Sequence, residues 1–151
     1  LGDVYKRQLM ECGVAAKRDL KKGRTSPAVE RLIECNILLS GVGFESGGLA
    51  LAHAIANGLT ILPECKAMHG EAVAFGLVVQ LRLERAPELN QVLEFCQRVG
   101  LPTTLEELGL DEISDADLMS VADAAFRNER NMANEQAKVT RQKLVQLMRE
   151  A

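Results

Sequence analysis

The sequence contains no tryptophan, one tyrosine and four phenylalanines. So few aromatic side chains argue against a surface that stacks the bases of single-stranded nucleic acid. Positive charge is also not in excess: 18 Lys and Arg against 21 Asp and Glu leave a formal net charge of −3, which speaks against a phosphate-backbone binder. No long hydrophobic run occurs, and the longest charge-free apolar stretch, Ala72 to Leu81, is too short to span a bilayer. No Cys-x-x-Cys pair occurs. The cysteines at 12, 35, 65 and 96 stand singly, and residues 1–8 lack the apolar core of a secretory signal. That spacing argues against a disulfide framework or a Cys-rich zinc site and suits small buried hydrophobes in a reducing, cytoplasmic compartment. Histidine is scarce as well, limited to His53 and His69.

At 151 residues the chain fits one domain able to bury roughly 70% of its unfolded surface. It opens at Leu1 without an initiating methionine, which reads as a processed product or a fragment. Residues 1–8 are polar and carry no periodic apolar pattern, as expected of a linker or a segment foreign to the domain.

Almost every other segment has helical periodicity. Thr25-Ser26-Pro27 is a start signal, with a hydroxyl for the N-cap and a proline suited to the first turn. Val29, Leu32, Ile33 and Ile37 follow at helical spacing up to the glycines at 41 and 43. A second helix is expected from Ser46 to Asn57-Gly58, the glycine serving as a left-handed C-cap. A third is expected over 70–86; it is apolar on nearly all faces over 72–81 and therefore buried on nearly all of them. Residues 88–99 form an amphipathic helix that stops at Gly100. Thr104-x-x-Glu107 and Ser114-x-x-Asp117 each predict a capped helix start, and Leu144, Leu147 and Met148 define one face of a last helix over 140–151. Nothing alternates with period two over a strand's length, so the expected fold is all-α.

Two features could carry chemistry. The cluster from Ser40 to Gly48 imitates a dinucleotide fingerprint with Glu64 about twenty residues on. Its third glycine falls one place late, and it follows a helical segment where the fingerprint needs a strand. A structural turn, a loop allowing close backbone approach, and an anion site on the free N–H groups after Ser46 are the remaining readings. The second feature is the histidine pair. His53 lies among Leu, Ala and Ile, and His69 precedes Gly70-Glu71 at the mouth of the apolar helix. Two imidazoles from separate helices and one carboxylate form a common zinc set with a position left for water or substrate. Glu45, Glu64 and Glu71 are local candidates for the carboxylate, and a hydrogen-bonded core histidine is the alternative for either ring.

The run from Ser26 to His53, with Gly-Phe-Glu-Ser-Gly-Gly at 43–48, resembles the NAD-dependent glycerol dehydrogenases. Ala54-Ile-Ala-Asn-Gly at 54–58 and His-Gly-Glu-Ala-Val-Ala-Phe-Gly at 69–76 extend the likeness, which covers about residues 9–110 well. These enzymes belong to the metal-containing, group III alcohol dehydrogenases, whose fold is shared with dehydroquinate synthase. The resemblance implies an N-terminal α/β nucleotide-binding domain and a C-terminal helical domain. Residues 9–151 then correspond to part of that helical, metal- and substrate-binding domain, with no residue assigned to NAD.

It further implies a divalent metal, usually zinc, held by one Asp and two His. The two His positions fall on His53 and His69, and the Asp position lies upstream of this chain. Phe44 matches a position that lines the glycerol site. The implied reaction is zinc-assisted oxidation of glycerol or a similar polyol by NAD, in a protein that forms homo-oligomers, and the chain alone is expected to be inactive. Sister activities on glycerol 1-phosphate or a 2-hydroxy acid, and a non-catalytic helical interaction module, are the alternatives. One departure stands out: the family commonly has a second histidine where this chain has Ala56.

Overall fold

The structure, a computed structural model, describes residues 2–43 and 48–151, without the side chains of residues 2–5, 40 and 43. The described residues contain helices and turns and no strand, so the all-α expectation holds. The chain divides into two compact units, residues 1–48 and 49–151.

In the first unit α1 (Gly2–Lys21) packs against α2 (Pro27–Leu38), so residues 2–8 are helical. Cys12, Ala16, Val29 and Cys35 are its buried apolar side chains, small enough for two helices to lie close. Gly23, at φ +64°, turns the chain between them. Ser26 occupies the expected N-cap position, but its hydroxyl makes no cap bond; Pro27 and the Glu30 N–H to Ser26 carbonyl bond start the helix instead. Beyond Leu38 the chain winds into a π-helical turn over Leu39–Gly43.

The second unit holds α3 (Leu51–Leu59), α4 (His69–Glu84), α5 (Leu89–Val99), α6 (Asp115–Arg127), the short α7 (Glu129–Ala133) and α8 (Arg141–Glu150). Helix α3 lies at its centre, against α4 on one side and α6 on another, and α8 closes the core from beyond. Leu51, Ile55 and Leu59 of α3 meet Phe75, Val79, Leu118, Val121, Leu144 and Met148 in one cluster. Every residue of α3 is buried except His53 and Asn57, which sit one turn apart on a single stripe. Helix α4 is buried along most of its apolar run, as its composition demands, although Leu77 remains 36% exposed.

Several expected boundaries shift. Helix α3 begins at Leu51, after the non-helical residues 48–50, and the expected start at Ser46 lies outside the described residues. Gly58 is no left-handed cap; it lies inside α3, where an added Cβ would meet the Val121 carbonyl oxygen at 2.6 Å. The short α7, Glu129–Ala133, is a helix that the sequence reading does not include.

Thr104-x-x-Glu107 makes its capping bonds, with the Glu107 N–H donating to Thr104 Oγ1 at 3.1 Å, yet no helix follows. Gly109, at φ +74°, ends the segment after one turn. The Thr103 N–H donates to the Glu107 carboxylate at 2.6 Å and the Thr103 hydroxyl at 3.0 Å. The Thr103 N–H, in spite of partial desolvation, and then the Thr103 hydroxyl and the backbone at Thr104 hold this carboxyl below its ordinary value of 4.5. A lowered folded-state pKa means a stabilising contribution that is present above pH 4.5 and lost as pH falls through the folded value. Glu107→Gln is therefore expected to flatten this part of the acid-unfolding curve while leaving its neutral-pH plateau less stable. Urea midpoints measured between pH 3 and pH 7 check it, and a parallel shift at every pH would refute it.

Candidate metal centre

Helices α3 and α4 carry the two histidines, which are 16 residues apart in sequence. The connection Thr60–Met68 folds back so that His69 begins α4 beside the middle of α3. The imidazole centroids lie 5.8 Å apart with the rings tilted at 53°. His53 is half-buried and His69 exposed, so the pair sits at the edge of the core with one side open.

The start of α4 is held by Glu71, whose carboxylate accepts the Met68 N–H at 2.8 Å. This satisfies one of the N–H groups that a helix start leaves over, and it fixes the backbone from which His69 projects. The approach of the two helices depends on Gly76 of α4: a Cβ there would lie 2.3 Å from the Ala52 carbonyl oxygen. No other residue allows the α3 backbone to come so near, and Ala52 immediately precedes His53.

The donor chemistry suits a divalent ion. Burial, followed by the charge that His69 carries when protonated, holds the His53 imidazole below its ordinary pKa and favours the neutral ring, the form that binds metal. Two imidazoles ligating one tetrahedral ion at ordinary Zn–N lengths have centroids about 5 Å apart. The observed 5.8 Å is close to that span. Two imidazoles at this separation are compatible with two places of a metal site. Among the described residues no set of three or more His, Cys, Asp or Glu gathers for such an ion. Glu71 is engaged at the helix start, Glu64 lines a separate cavity with Asp111, Glu112 and Asp117, and Glu45 lies outside the described residues. Neither Glu64 nor Glu71 supplies a third ligand here.

Other sequence expectations resolve differently. Residues 44–47, which include Phe44 and the middle of the glycine cluster, lie outside the described residues. The anion reading of the second helix start loses one of its donors, because the Ala52 N–H is taken by the Gln80 side chain at 2.9 Å. Ala56, the departure from the family motif, is 1% exposed within the core cluster. A methyl group at that position packs among apolar neighbours and takes nothing from the His53–Asn57 stripe. The largest signal missed in the sequence is Gly76, although a glycine inside a strong helical pattern is itself a hint of close packing. A cavity of about 500 Å³ with Lys66, Glu71, Gln97 and Glu107 among its walls borders the start of α4, but neither histidine lines it.

No protein-family model matches the chain. It is 51% identical over 135 residues to the glycerol dehydrogenase of Thermotoga maritima, an alignment covering 87% of this chain and 37% of that protein. It is 50% identical over 119 residues to the glycerol dehydrogenase of Citrobacter freundii, covering 77% and 33% respectively. The crystal structure of a probable glycerol dehydrogenase from Sinorhizobium meliloti 1021 superposes with a TM-score of 0.90 at 38% identity, over 97% of this chain and 42% of that one. The chain therefore spans about a third of the length of the curated relatives it matches.

Proposed function

We propose that this chain, a homologue of the glycerol dehydrogenases along about a third of their length, supplies His53 and His69 as two ligands of a divalent ion, zinc in the first instance. The complete enzyme would oxidise glycerol, or a similar polyol, with NAD in the cytoplasm. The observation that carries this reading is the convergence of the chain's only two histidines to 5.8 Å from separate helices.

The ion supplies Lewis acidity toward neighbouring hydroxyl groups, and NAD supplies the hydride acceptor. The share of this chain is placement. His53 offers a neutral nitrogen from a helix whose backbone is anchored by its buried neighbours. His69 offers its nitrogen from a helix start tied down by Glu71. The apolar packing of α3 and α4 behind the rings keeps water from one side and leaves the other side for a small polyol. Phe44, nine residues before His53 in the sequence, is assigned to the wall of that polyol site by family resemblance. The third ligand and the nucleotide site are assigned to no residue of this chain.

The test is a chimera in which this chain replaces the equivalent segment of the Thermotoga maritima relative. NAD-dependent oxidation of glycerol by the chimera, and none by the 151-residue chain alone, is the expected result. A folded chimera that oxidises glycerol 1-phosphate or a 2-hydroxy acid in place of glycerol would move the substrate assignment. Turnover by the isolated chain would overturn the proposed division of roles.

A further inference from the structure

The N-terminus of α3 lacks the usual means of capping itself. Its N-cap residue is Ala50, which has no side-chain acceptor. The N–H groups of His53 and Ala54 both turn back to the Ala50 carbonyl at 3.2 Å. The N–H of Ala52 goes instead to Gln80 Oε1 of α4 at 2.9 Å, across 28 residues of sequence. Gln80 is held in its turn: its Nε2 donates to Glu84 Oε1 at 2.8 Å, which fixes the amide so that its oxygen faces α3. Asn134 ties the preceding residue pair, donating through Nδ2 to the Leu49 carbonyl at 2.8 Å.

Gly76, Gln80 and Glu84 fall at i, i+4 and i+8 and form one stripe of α4. The first receives the carbonyl side of Ala52 within what would be Cβ distance, the second binds its N–H, and the third orients the second. Ala52 is thus gripped on both of its peptide groups, and the next residue is His53. The rotation of α3 about its own axis bears on where the His53 ring points, and this grip adds a polar restraint to the apolar packing of Leu51, Ile55 and Leu59.

We propose that Gln80, oriented by Glu84, is a positioning residue for His53, holding the imidazole in the direction needed to share an ion with His69. The inference rests on the reading of His53 as a metal ligand. It assigns Gln80 no contact with metal, substrate or cofactor. A merely structural Gln80 would lower the stability of the chain and leave the zinc affinity of its folded form unchanged.

The experiment uses the full 151-residue chain and Zn²⁺ alone as the probe, titrated by calorimetry where each variant is shown to be folded. Amide hydrogen exchange at Ala52 is measured beside it. Gln80→Leu, which keeps the bulk and removes the acceptor, is expected to weaken Zn²⁺ binding about 10-fold, the scale of outer-shell partners, and to speed exchange at Ala52. The swap Q80E/E84Q keeps an acceptor for Ala52 and a donor between the two α4 positions, and it is expected to restore both readouts. Unchanged Zn²⁺ affinity in Gln80→Leu, with His53→Ala weakened, overturns the positioning role and leaves the metal reading intact. So does a folded swap variant that stays as weak as Gln80→Leu. Unchanged affinity in His53→Ala overturns the metal reading, and the positioning role falls with it.

Discussion

Replacing His53 with alanine is expected to weaken Zn²⁺ binding by at least about 100-fold, since losing a ligand costs more than losing a residue that orients one. The helix should survive the change. His53 is half-buried and its neighbours at 52, 54 and 56 are already alanines, so little burial is lost, and alanine has the highest helix propensity. The unfolding midpoint and the helical circular dichroism are expected to stay close to those of the parent. His69→Ala is expected to cause a loss of the same order, because it removes the other half of the pair. The double variant distinguishes one shared ion from two independent ones. If both rings hold the same ion, removing the second adds little to the loss caused by removing the first. Losses that add fully on the logarithmic scale would refute a common site. In the chimera with the Thermotoga maritima relative, either single change is expected to abolish glycerol oxidation.

Gly76→Ala is expected to be the most destabilising single-methyl change in the second unit. The added carbon would lie 2.3 Å from the Ala52 carbonyl oxygen and 3.0 Å from its carbon, and both atoms belong to backbone that no rotamer change can move. Overpacking of this kind costs up to about 3 kcal/mol, against which alanine regains about 1 kcal/mol of helix propensity over glycine. A net loss of about 2 kcal/mol should appear in urea unfolding. Gly70→Ala provides the control on the same helix. No atom comes within 4 Å of a Cβ at that position, so it is expected to be neutral or slightly stabilising. Because the clash in Gly76→Ala is with the residue before His53, relief by separating α3 from α4 also parts the two rings. Zn²⁺ affinity is therefore expected to fall together with stability. A Gly76→Ala variant as stable as Gly70→Ala would show that the close approach is not a feature of the molecule in solution.

The two classes of glycine illustrate what local sequence can carry. Gly100 follows an amphipathic run and precedes Pro102, and it stops α5 in the left-handed conformation, at φ 63°, as its context predicts. Gly58 follows a similar run and an asparagine, yet it continues α3, because the pressing requirement there is room for Val121 of α6. Ser114 caps α6 as its spacing predicts, and Thr140 caps α8. The equally well-formed capping box at Thr104 leads only to a turn. In the glycine contrast the local pattern is the same and the neighbour from another part of the chain differs, whereas in the capping contrast Gly109 ends the turn.

By itself the amino-acid sequence determined that the chain is helical, where most helices stop, and which two side chains could bind a metal. These follow from forces acting within a few residues, namely the apolar period, the backbone limits of proline and glycine, and the chemistry of imidazole. Tertiary structure alone decided that the two histidines face each other, that Ala56 belongs to the core, and that Gly76 and Gln80 grip the residue before His53. Those outcomes depend on which helix faces lie against each other across 16 to 28 residues of sequence, and no local pattern contains that information. The scarcity of histidine therefore marked the candidate residues, and the packing of α3 on α4 brought them together.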